Sequence, residues 1–435
     1  MEKRLKVAFL TLGCKVNQYE TNAMIQKFTK KGYKEVNFNE FADIYIINTC
    51  TVTNMADRKS RQMLRRVKTI NPNSVLVACG CYAQANKQEL EKVKEIDIII
   101  GTNKKNEVVD LVEEFILKKQ NIEAITDVFK EKDYSEFGSI TYTEKTRAVI
   151  KVQDGCDRFC SYCIIPYARG RVRSRKLENI LDEVKQIAKN GIKEVVITGI
   201  HVASYGKDFK IQTGLIDLLE ELNKIEEIKR IRLSSLEPII FTDDFIKRLI
   251  KLDKVCHHFH LSLQSACNKT LERMNRRYSI EEFIEITNKL KKAYNDVCLT
   301  TDIIVGFPGE TEEEFNTTYK NLEKIKFYKM HVFKYSKRKG TKAEVMPNQV
   351  PDNIKEQRSK KLLELSQKNE YDINKSYLNQ TVKVLFEEEK DGLYQGHTNN
   401  YMLVKVKSKD DIKNKIIDVI ITNVTKDEIV GEIKK

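Results

Sequence analysis

The stretch Ala148-Val-Ile-Lys-Val-Gln-Asp-Gly-Cys-Asp-Arg-Phe-Cys-Ser-Tyr-Cys163 reads as an apolar strand, Ala148–Gln153, running into a loop with three thiols at C-x3-C-x2-C spacing. Three thiolates from one loop can hold three corners of a cubane iron–sulfur cluster and leave the fourth iron without a protein ligand. An open iron is a place for chemistry. A zinc site wants a fourth Cys or His close by, and neither occurs between Cys163 and His201. The plainer reading, three thiols unrelated to one another, fits such tight spacing poorly.

Six candidate strands extend from this point: Ala148–Gln153, Glu194–Thr198, Arg230–Ser234, His258–Leu263, Leu299–Val305 and Met330–Lys334. Helical segments between them begin near Leu177, Leu215, Asp243, Ser279 and Thr311. This alternation suits an α/β partial (β/α)6 barrel over residues 142–374, with its site at the carboxyl ends of the strands. Cys156, Cys160 and Cys163 follow the first strand, where that geometry requires them. Gly199 and His201 follow the second, Ser234, Ser235 and Glu237 the third, and Gln264 and Ser265 the fourth. After the fifth comes Gly306-Phe-Pro-Gly-Glu310, a turn whose glycines let backbone approach a ligand. Gly199, His201, Ser234, Glu237, Gln264 and Gly306 are therefore the cofactor-binding candidates. Singly, Gly199 reads as a turn residue and His201 as a surface histidine; their shared edge is what groups them.

Upstream, apolar runs at Val7–Leu10, Ile44–Ile47, Val75–Ala78 and Ile96–Ile100 alternate with helical-period segments at about Thr21–Lys31, Met55–Ile70, Ala85–Lys94 and Lys105–Leu117. This predicts an open parallel α/β sheet domain over residues 1–127, with helices on both faces. Ligands gather beyond the carboxyl ends of such strands. Cys14, Cys50 and Cys81 each fall three or four residues past a different predicted strand end, so the topology brings them to one edge. Cys79 competes with Cys81 for the third place. Gly80 precedes Cys81 much as Gly13 precedes Cys14, however, and Cys79 ends the strand with its thiol in the core. Far apart in sequence, these three also read as inert buried thiols. Arg58, Arg61, Arg65 and Lys68 form one stripe on the helix after Cys50, either a phosphate-binding or a solvated face.

Beyond a charged helical stretch, Pro351–Tyr371, short alternating strands at Val382–Phe386, Leu393–His397, Met402–Val406 and Ile416–Ile421 predict a small antiparallel β-barrel over residues 375–435. The formal charge of +14 concentrates in Arg58–Lys68, Arg169–Lys176 and Lys334–Lys342, each after a predicted strand, which looks like the footprint of a polyanion. The C-terminal segment adds little to it, since its eleven lysines face ten acidic residues. With 41% hydrophobic and 32% charged residues, the composition excludes a disordered chain. No apolar run reaches the length of a membrane span, and the apolar part of the start, Val7–Leu10, is too short for a signal peptide. A cytoplasmic protein without a membrane partner is expected, in which ten cysteines point to metal or redox chemistry before disulfides.

The C-x3-C-x2-C spacing, with the aromatic Tyr162 before its last Cys, resembles the signature of radical S-adenosylmethionine (SAM) enzymes. With three further N-terminal cysteines and the C-terminal module, the chain resembles the methylthiotransferase family over essentially its whole length. Leu12-Gly-Cys-Lys-Val-Asn-Gln-Tyr-Glu20, Gln153-Asp-Gly-Cys-Asp-Arg-Phe-Cys-Ser-Tyr-Cys-Ile-Ile-Pro-Tyr-Ala-Arg-Gly-Arg-Val-Arg-Ser-Arg175 and Arg232-Leu-Ser-Ser-Leu-Glu-Pro238 are similar to the branch acting on N6-threonylcarbamoyladenosine in tRNA. The isopentenyladenosine branch reads Gly-Cys-Gln-Met-Asn at the first cysteine and the ribosomal-protein branch Gly-Cys-x-Lys-Asn; the chain has neither.

The resemblance implies two 4Fe-4S clusters: a SAM-cleaving one on Cys156, Cys160 and Cys163, and an auxiliary one on Cys14, Cys50 and Cys81. It implies SAM as both radical source and methyl donor, a tRNA substrate, and a flavodoxin- or ferredoxin-like reductant. Tyr394-Gln-Gly-His-Thr-Asn-Asn-Tyr401 resembles the RNA-binding TRAM module. Arg58, Arg61, Arg65, Arg171, Arg173, Tyr394 and Tyr401 are the resulting RNA-binding candidates. In the radical SAM superfamily a Gly-Gly-Glu-like segment after the second strand contacts the SAM amino group, whereas Thr198-Gly-Ile-His201 carries no carboxylate. The alternatives are the same chemistry on isopentenyladenosine or on a ribosomal-protein aspartate and, more remotely, a non-catalytic iron–sulfur RNA-binding protein.

Overall fold

Along one strand of the first sheet Val75, Val77 and Cys79 alternate with Leu76 and Ala78, and the two sets enter different cores. The first packs with Val7, Met24, Phe28, Ile44 and Ile46, the second with Ala8, Tyr45, Ile47, Leu64 and Val67. A strand buried on both faces needs cover on both sides, and helices supply it. The computed structural model describes residues 4–141, 146–211 and 213–434; the expected domain limits at Met1, Tyr142 and Lys435 lie outside them.

Strands β1 (Lys6–Thr11), β2 (Lys34–Val36), β3 (Ile44–Thr49), β4 (Val75–Gly80), β5 (Ile98–Ile100) and β6 (Ile122–Ala124) form a parallel sheet in the order β2-β1-β3-β4-β5-β6. The edge strands β2 and β6, three residues each around a central glutamate, carry too little pattern to be read from sequence. Two expectations change here. The helix expected from Thr21 begins at Lys15, directly after Cys14. The helix expected over Ala85–Lys94 is two short ones, Cys81–Ala85 and Lys87–Leu90, broken where Asn86 leaves helical backbone at φ −130°.

The six central strands form as expected, with a short antiparallel addition, β8. They are β7 (Arg147–Asp154), β8 (Arg173–Ser174), β9 (Glu194–Gly199), β10 (Arg230–Leu233), β11 (His258–Gln264), β12 (Cys298–Val305) and β13 (Lys329–Lys334). They lie in the orders β10-β9-β7-β8 and β11-β12-β13, linked by the bridges Ile231–Val255 and Leu236–Leu261 into an open, curved wall. Local chemistry starts its outer helices. Ser279 caps Ile280–Ala293 in a reciprocal box with Glu282, and Thr311 caps Glu312–Ile325.

The C-terminal strands β14 (Thr381–Lys390), β15 (Leu393–Thr398), β16 (Leu403–Val406), β17 (Ile416–Val424) and β18 (Ile429–Ile433) close into a barrel, β14-β15-β16-β18-β17. Its pairing is antiparallel except between β16 and β18, which are parallel and complete the closure. The barrel packs against the amino ends of the central strands. Arg230 donates to the His397 and Lys383 carbonyls at 2.7 and 2.8 Å, and Cys298 and Tyr328 enter the barrel's own apolar core. Among the described residues, no helix is long and apolar enough to cross a membrane.

Candidate functional site

The loop after β7 is shaped before any metal arrives. Gly155 sits at φ +71°, and a Cβ there would lie 1.7 Å from the Arg171 carbonyl oxygen. The Cys156 N–H donates to Gly170 O at 3.0 Å, the Cys163 N–H to Cys160 O at 2.9 Å and the Ser161 N–H to Met274 O at 3.1 Å. Asn275 Nδ2 donates to Phe159 O at 3.0 Å, and Arg276 donates to Cys160 Sγ at 3.3 Å. Tyr162, the aromatic of the spacing, packs edge-on against Phe307. Burial pushes the Cys156 thiol up to about 11 and the Cys163 thiol up to about 12, so a metal must displace protons to bind them.

The second trio is assembled from three strand ends. Cys50 and Cys81 directly follow β3 and β4, and Cys14 stands at the amino end of the helix Lys15–Lys30. Gly13 at φ +103° lets Cys50 in, since a Cβ on it would meet Cys50 Sγ at 2.8 Å. Gly80 at φ +102° clears Asn48 Oδ1 and Thr49 O in the same way. Asn17 Nδ2 ties the ends of β1 and β3 through Leu12 O and Thr49 O. Cys79 is fully buried in the opposite core, facing away from the trio. Crowding by surrounding atoms raises the Cys14 thiol, although its surface opens onto a cavity, and burial pushes Cys50 up to about 11.

Arg169 joins the two sites. It lies just beyond the Cys156–Cys163 loop, is fully buried, and donates Nε–H to Cys81 Sγ at 3.2 Å. Its other nitrogens reach Asn17, Glu20 and Asp154. Lys105 and Lys151 pair with the same carboxylates. Against their burial, Arg169 and the lysines hold Glu20 well below the usual carboxylate range and Asp154 at about 2. Three buried cations share two carboxylates, and buried unbalanced charge is costly. A bound anionic cluster at Cys81 would supply the missing charge beside Arg169, so the residues present fit one. Among the described residues, no three His, Cys, Asp or Glu side chains close to the spacing of a single metal ion; a cubane distributes its ligands over separate irons.

The cofactor candidates divide. Glu237 is buried and pairs with Arg158, with His201 Nε2 at 3.1 Å and with Arg276 at 3.8 Å, which ties it to the Cys156–Cys163 loop. Against its burial, these partners hold its carboxyl below the usual value. His201 also meets Ser204 Oγ at 2.6 Å. Ser234 Oγ is buried without a partner among the described residues, and Gln264 stands at φ +71° where the β11 register shifts. Two glycines have other duties. A Cβ on Gly199 would meet Gln153 Oε1 at 2.9 Å, and one on Gly306 would meet the Lys355 stem at 2.3 Å, so packing accounts for both.

The basic footprint shrinks. Arg173 is buried, donating to Asn103 and to the carbonyls of Arg169 and Arg171, so it is structural. Arg175 is buried on Glu183 and Glu136, and Arg338 turns inward to Asp57 and Thr51. Arg61 is held by the Tyr82 hydroxyl at 2.7 Å and Lys68 by Asp97, which leaves Arg58 and Arg65 exposed on that helix. Arg171 is exposed over the Phe159 ring. Tyr394 is buried in the C-terminal barrel core and unavailable for stacking on a base. Tyr401, at φ +77°, stacks between His258 and His397 where the barrel meets the central wall. Sequence reading missed Arg169, Glu20 and Lys105 as site residues. Lys151 carried a signal, a lone charge within an apolar strand.

Residues 150–322 match the radical SAM superfamily, and residues 6–101 match the uncharacterized protein family UPF0004. The chain is 42% identical over 419 residues to a protein of Bacillus subtilis named threonylcarbamoyladenosine tRNA methylthiotransferase MtaB, covering 95% of this chain and 93% of that one. A protein of the same name from Aquifex aeolicus is 42% identical, covering 96% and 100%. A tRNA-2-methylthio-N(6)-dimethylallyladenosine synthase of Caldicellulosiruptor saccharolyticus is 37% identical, covering 98% and 91%. Among solved structures, the radical SAM methyltransferase TsrM of Kitasatospora setae aligns at TM-score 0.59 and 12% identity over 79% of this chain and 77% of that one, a likeness of fold. With relatives matched over nearly the full length, the chain belongs to the radical SAM methylthiotransferases.

Proposed function

We propose that this chain is a cytoplasmic enzyme transferring a methylthio group to C2 of N6-threonylcarbamoyladenosine beside the anticodon of tRNA, with SAM as both radical source and methyl donor. The observation that carries the reading is the pair of three-cysteine sites joined through Arg169, which contacts Cys81 from the element following Cys163. Adenine C2–H is neither acidic nor a hydride donor, so a cofactor must carry the substitution. When bound, a 4Fe-4S cluster on Cys156, Cys160 and Cys163 supplies reductive cleavage of SAM, and one on Cys14, Cys50 and Cys81 supplies the sulfur that is methylated.

The chain's own residues set the conditions. Arg276 donates to Cys160 Sγ and Arg169 to Cys81 Sγ, each fixing the position of a sulfur. Glu237 is a carboxylate beside the first loop suited to the SAM amino group, in place of the one missing from Thr198-Gly-Ile-His201. Tyr162, Phe307 and Tyr335 form an apolar backing that keeps water from that loop. The C-terminal barrel serves as an RNA-binding TRAM module, and exposed Arg58, Arg65 and Arg171 contact phosphate. Unstacking the target base costs about a few kcal/mol, and a flavodoxin- or ferredoxin-like protein delivers electrons. Mass spectrometry of digested tRNA from a deletion strain tests the substrate: threonylcarbamoyladenosine should lose its methylthio group there, and its persistence would contradict the assignment.

A further inference from the structure

A cavity of about 270 Å³ opens beside Cys14, and all three parts of the chain wall it. The helix after the first strand contributes Cys14 at its amino end, Lys15 and Gln18, the central wall Arg147 and Arg232, and the C-terminal barrel Tyr401. Its described walls hold three cations and no carboxylate. Two of the cations are engaged behind the wall. Arg232 pairs with Glu194 at 2.7 Å, and Arg147 with Glu387 at 2.9 Å. Glu194 is shared further, with Arg147 at 3.9 Å and Arg230 at 3.8 Å. Lys15 makes no hydrogen bond or ion pair among the described residues, and Arg147, Arg232 and Tyr401 share the cavity wall with it. Both Cys14 and Lys15 remain open to solvent, so an entering ligand can reach them.

An unpaired ammonium beside two arginines calls for an anion. We infer that this cavity receives the carboxylate of the threonyl group, with Lys15 as its ion-pair partner and Gln18 beside it as a hydrogen-bonding amide. The inference rests on the substrate proposed above. In adenine C2 and C6 both flank N1, so a base presented with C2 toward Cys14 carries its N6 substituent along the same edge, beside Lys15. A threonylcarbamoyl group ends there in a carboxylate that matches Lys15. An isopentenyl group has no polar atom to offer, and would desolvate the ammonium without a partner. The cavity thus attracts one modified adenosine and penalises the other, which is how specificity is built.

The test uses the full-length protein with its clusters reconstituted, and three anticodon stem-loops. These carry threonylcarbamoyladenosine, its carboxylate methyl ester, or isopentenyladenosine. The wild type should bind the free carboxylate at least about tenfold tighter than the ester, as expected for one charge-assisted contact. Lys15→Gln should weaken only the carboxylate loop and erase that difference, whereas Lys15→Arg should keep most of it. Equal weakening of acid and ester would mean a backbone phosphate contact and overturn the inference, as would no preference in the wild type. If Lys15→Gln loses iron, the wild-type comparison of acid with ester and the Lys15→Arg protein decide alone. Preferred binding of the isopentenyl loop by the wild type would instead refute the substrate assignment itself.

Discussion

The two cysteine trios are brought together by opposite routes. Cys156, Cys160 and Cys163 come from one loop, whose shape is set by Gly155 and a few backbone hydrogen bonds. Cys14, Cys50 and Cys81 come from three strand ends and meet only when β1, β3 and β4 are in register. The first site depends on local geometry. The second depends on a whole sheet and on a charge network that crosses into the central wall through Glu20, Lys151 and Arg169. A site assembled from distant parts should therefore fail under perturbations that leave the contiguous one intact.

The largest expected break is Glu20→Ala. It leaves Lys105, Lys151 and Arg169 with one carboxylate, and removing one partner from such a buried network costs about 3–5 kcal/mol. A lowered unfolding midpoint with loss of iron from the second site is expected; an unchanged midpoint would show that the network does not hold the parts together. Next come two glycines that separate the sites. Gly155→Ala should lose the loop cluster and Gly13→Ala the assembled one, each about half of the bound iron if one cubane of two is lost. Loss of the same cluster from both variants would break the contrast.

A smaller effect is expected from Arg169→Lys, which keeps a cation but removes the fixed Nε–H donor to Cys81. Hydrogen bonds to cluster sulfurs favour the reduced, more negative state, so the assembled cluster's potential should fall by on the order of tens of millivolts. A redox titration followed by electron paramagnetic resonance would read this, and a rise would reverse the assigned role. The mildest is neutralising Arg58 and Arg65. The salt slope of tRNA binding should flatten by about 0.9 log unit per lost phosphate contact, and an unchanged slope would return that helix face to plain solvation.

The same contrast explains what sequence could show. A contiguous loop displays its spacing directly, and the (β/α) repeat of the central wall follows from hydrophobic period and from caps such as Ser279 and Thr311. The preference for Cys81 over Cys79 comes from local facts, the end of the strand at Gly80 and the match of Gly80 with Gly13. The partners of the assembled site were not legible. Arg169, Arg173 and Arg175 read as a surface charge run, since burial of a cation depends on acidic residues far away in sequence, such as Glu20 and Glu136. Tyr394 and Tyr401 share one strand-and-turn segment, yet one enters the barrel core and the other meets the central wall; that difference comes from packing between units. The short edge strands β2 and β6 and the parallel β16–β18 closure were hidden for a similar reason, being set by neighbours.

The most direct test of two separate clusters is anaerobic iron and sulfide analysis with electron paramagnetic resonance on three proteins: the wild type, the Cys156/Cys160/Cys163 triple alanine variant and the Cys14/Cys50/Cys81 triple alanine variant. Each variant should retain about half of the wild-type iron, as one cubane of two, and only the variant keeping Cys156, Cys160 and Cys163 should release 5′-deoxyadenosine from SAM. A Cys156/Cys160/Cys163 variant without iron, or a Cys14/Cys50/Cys81 variant with the full wild-type complement, would contradict the two-site account.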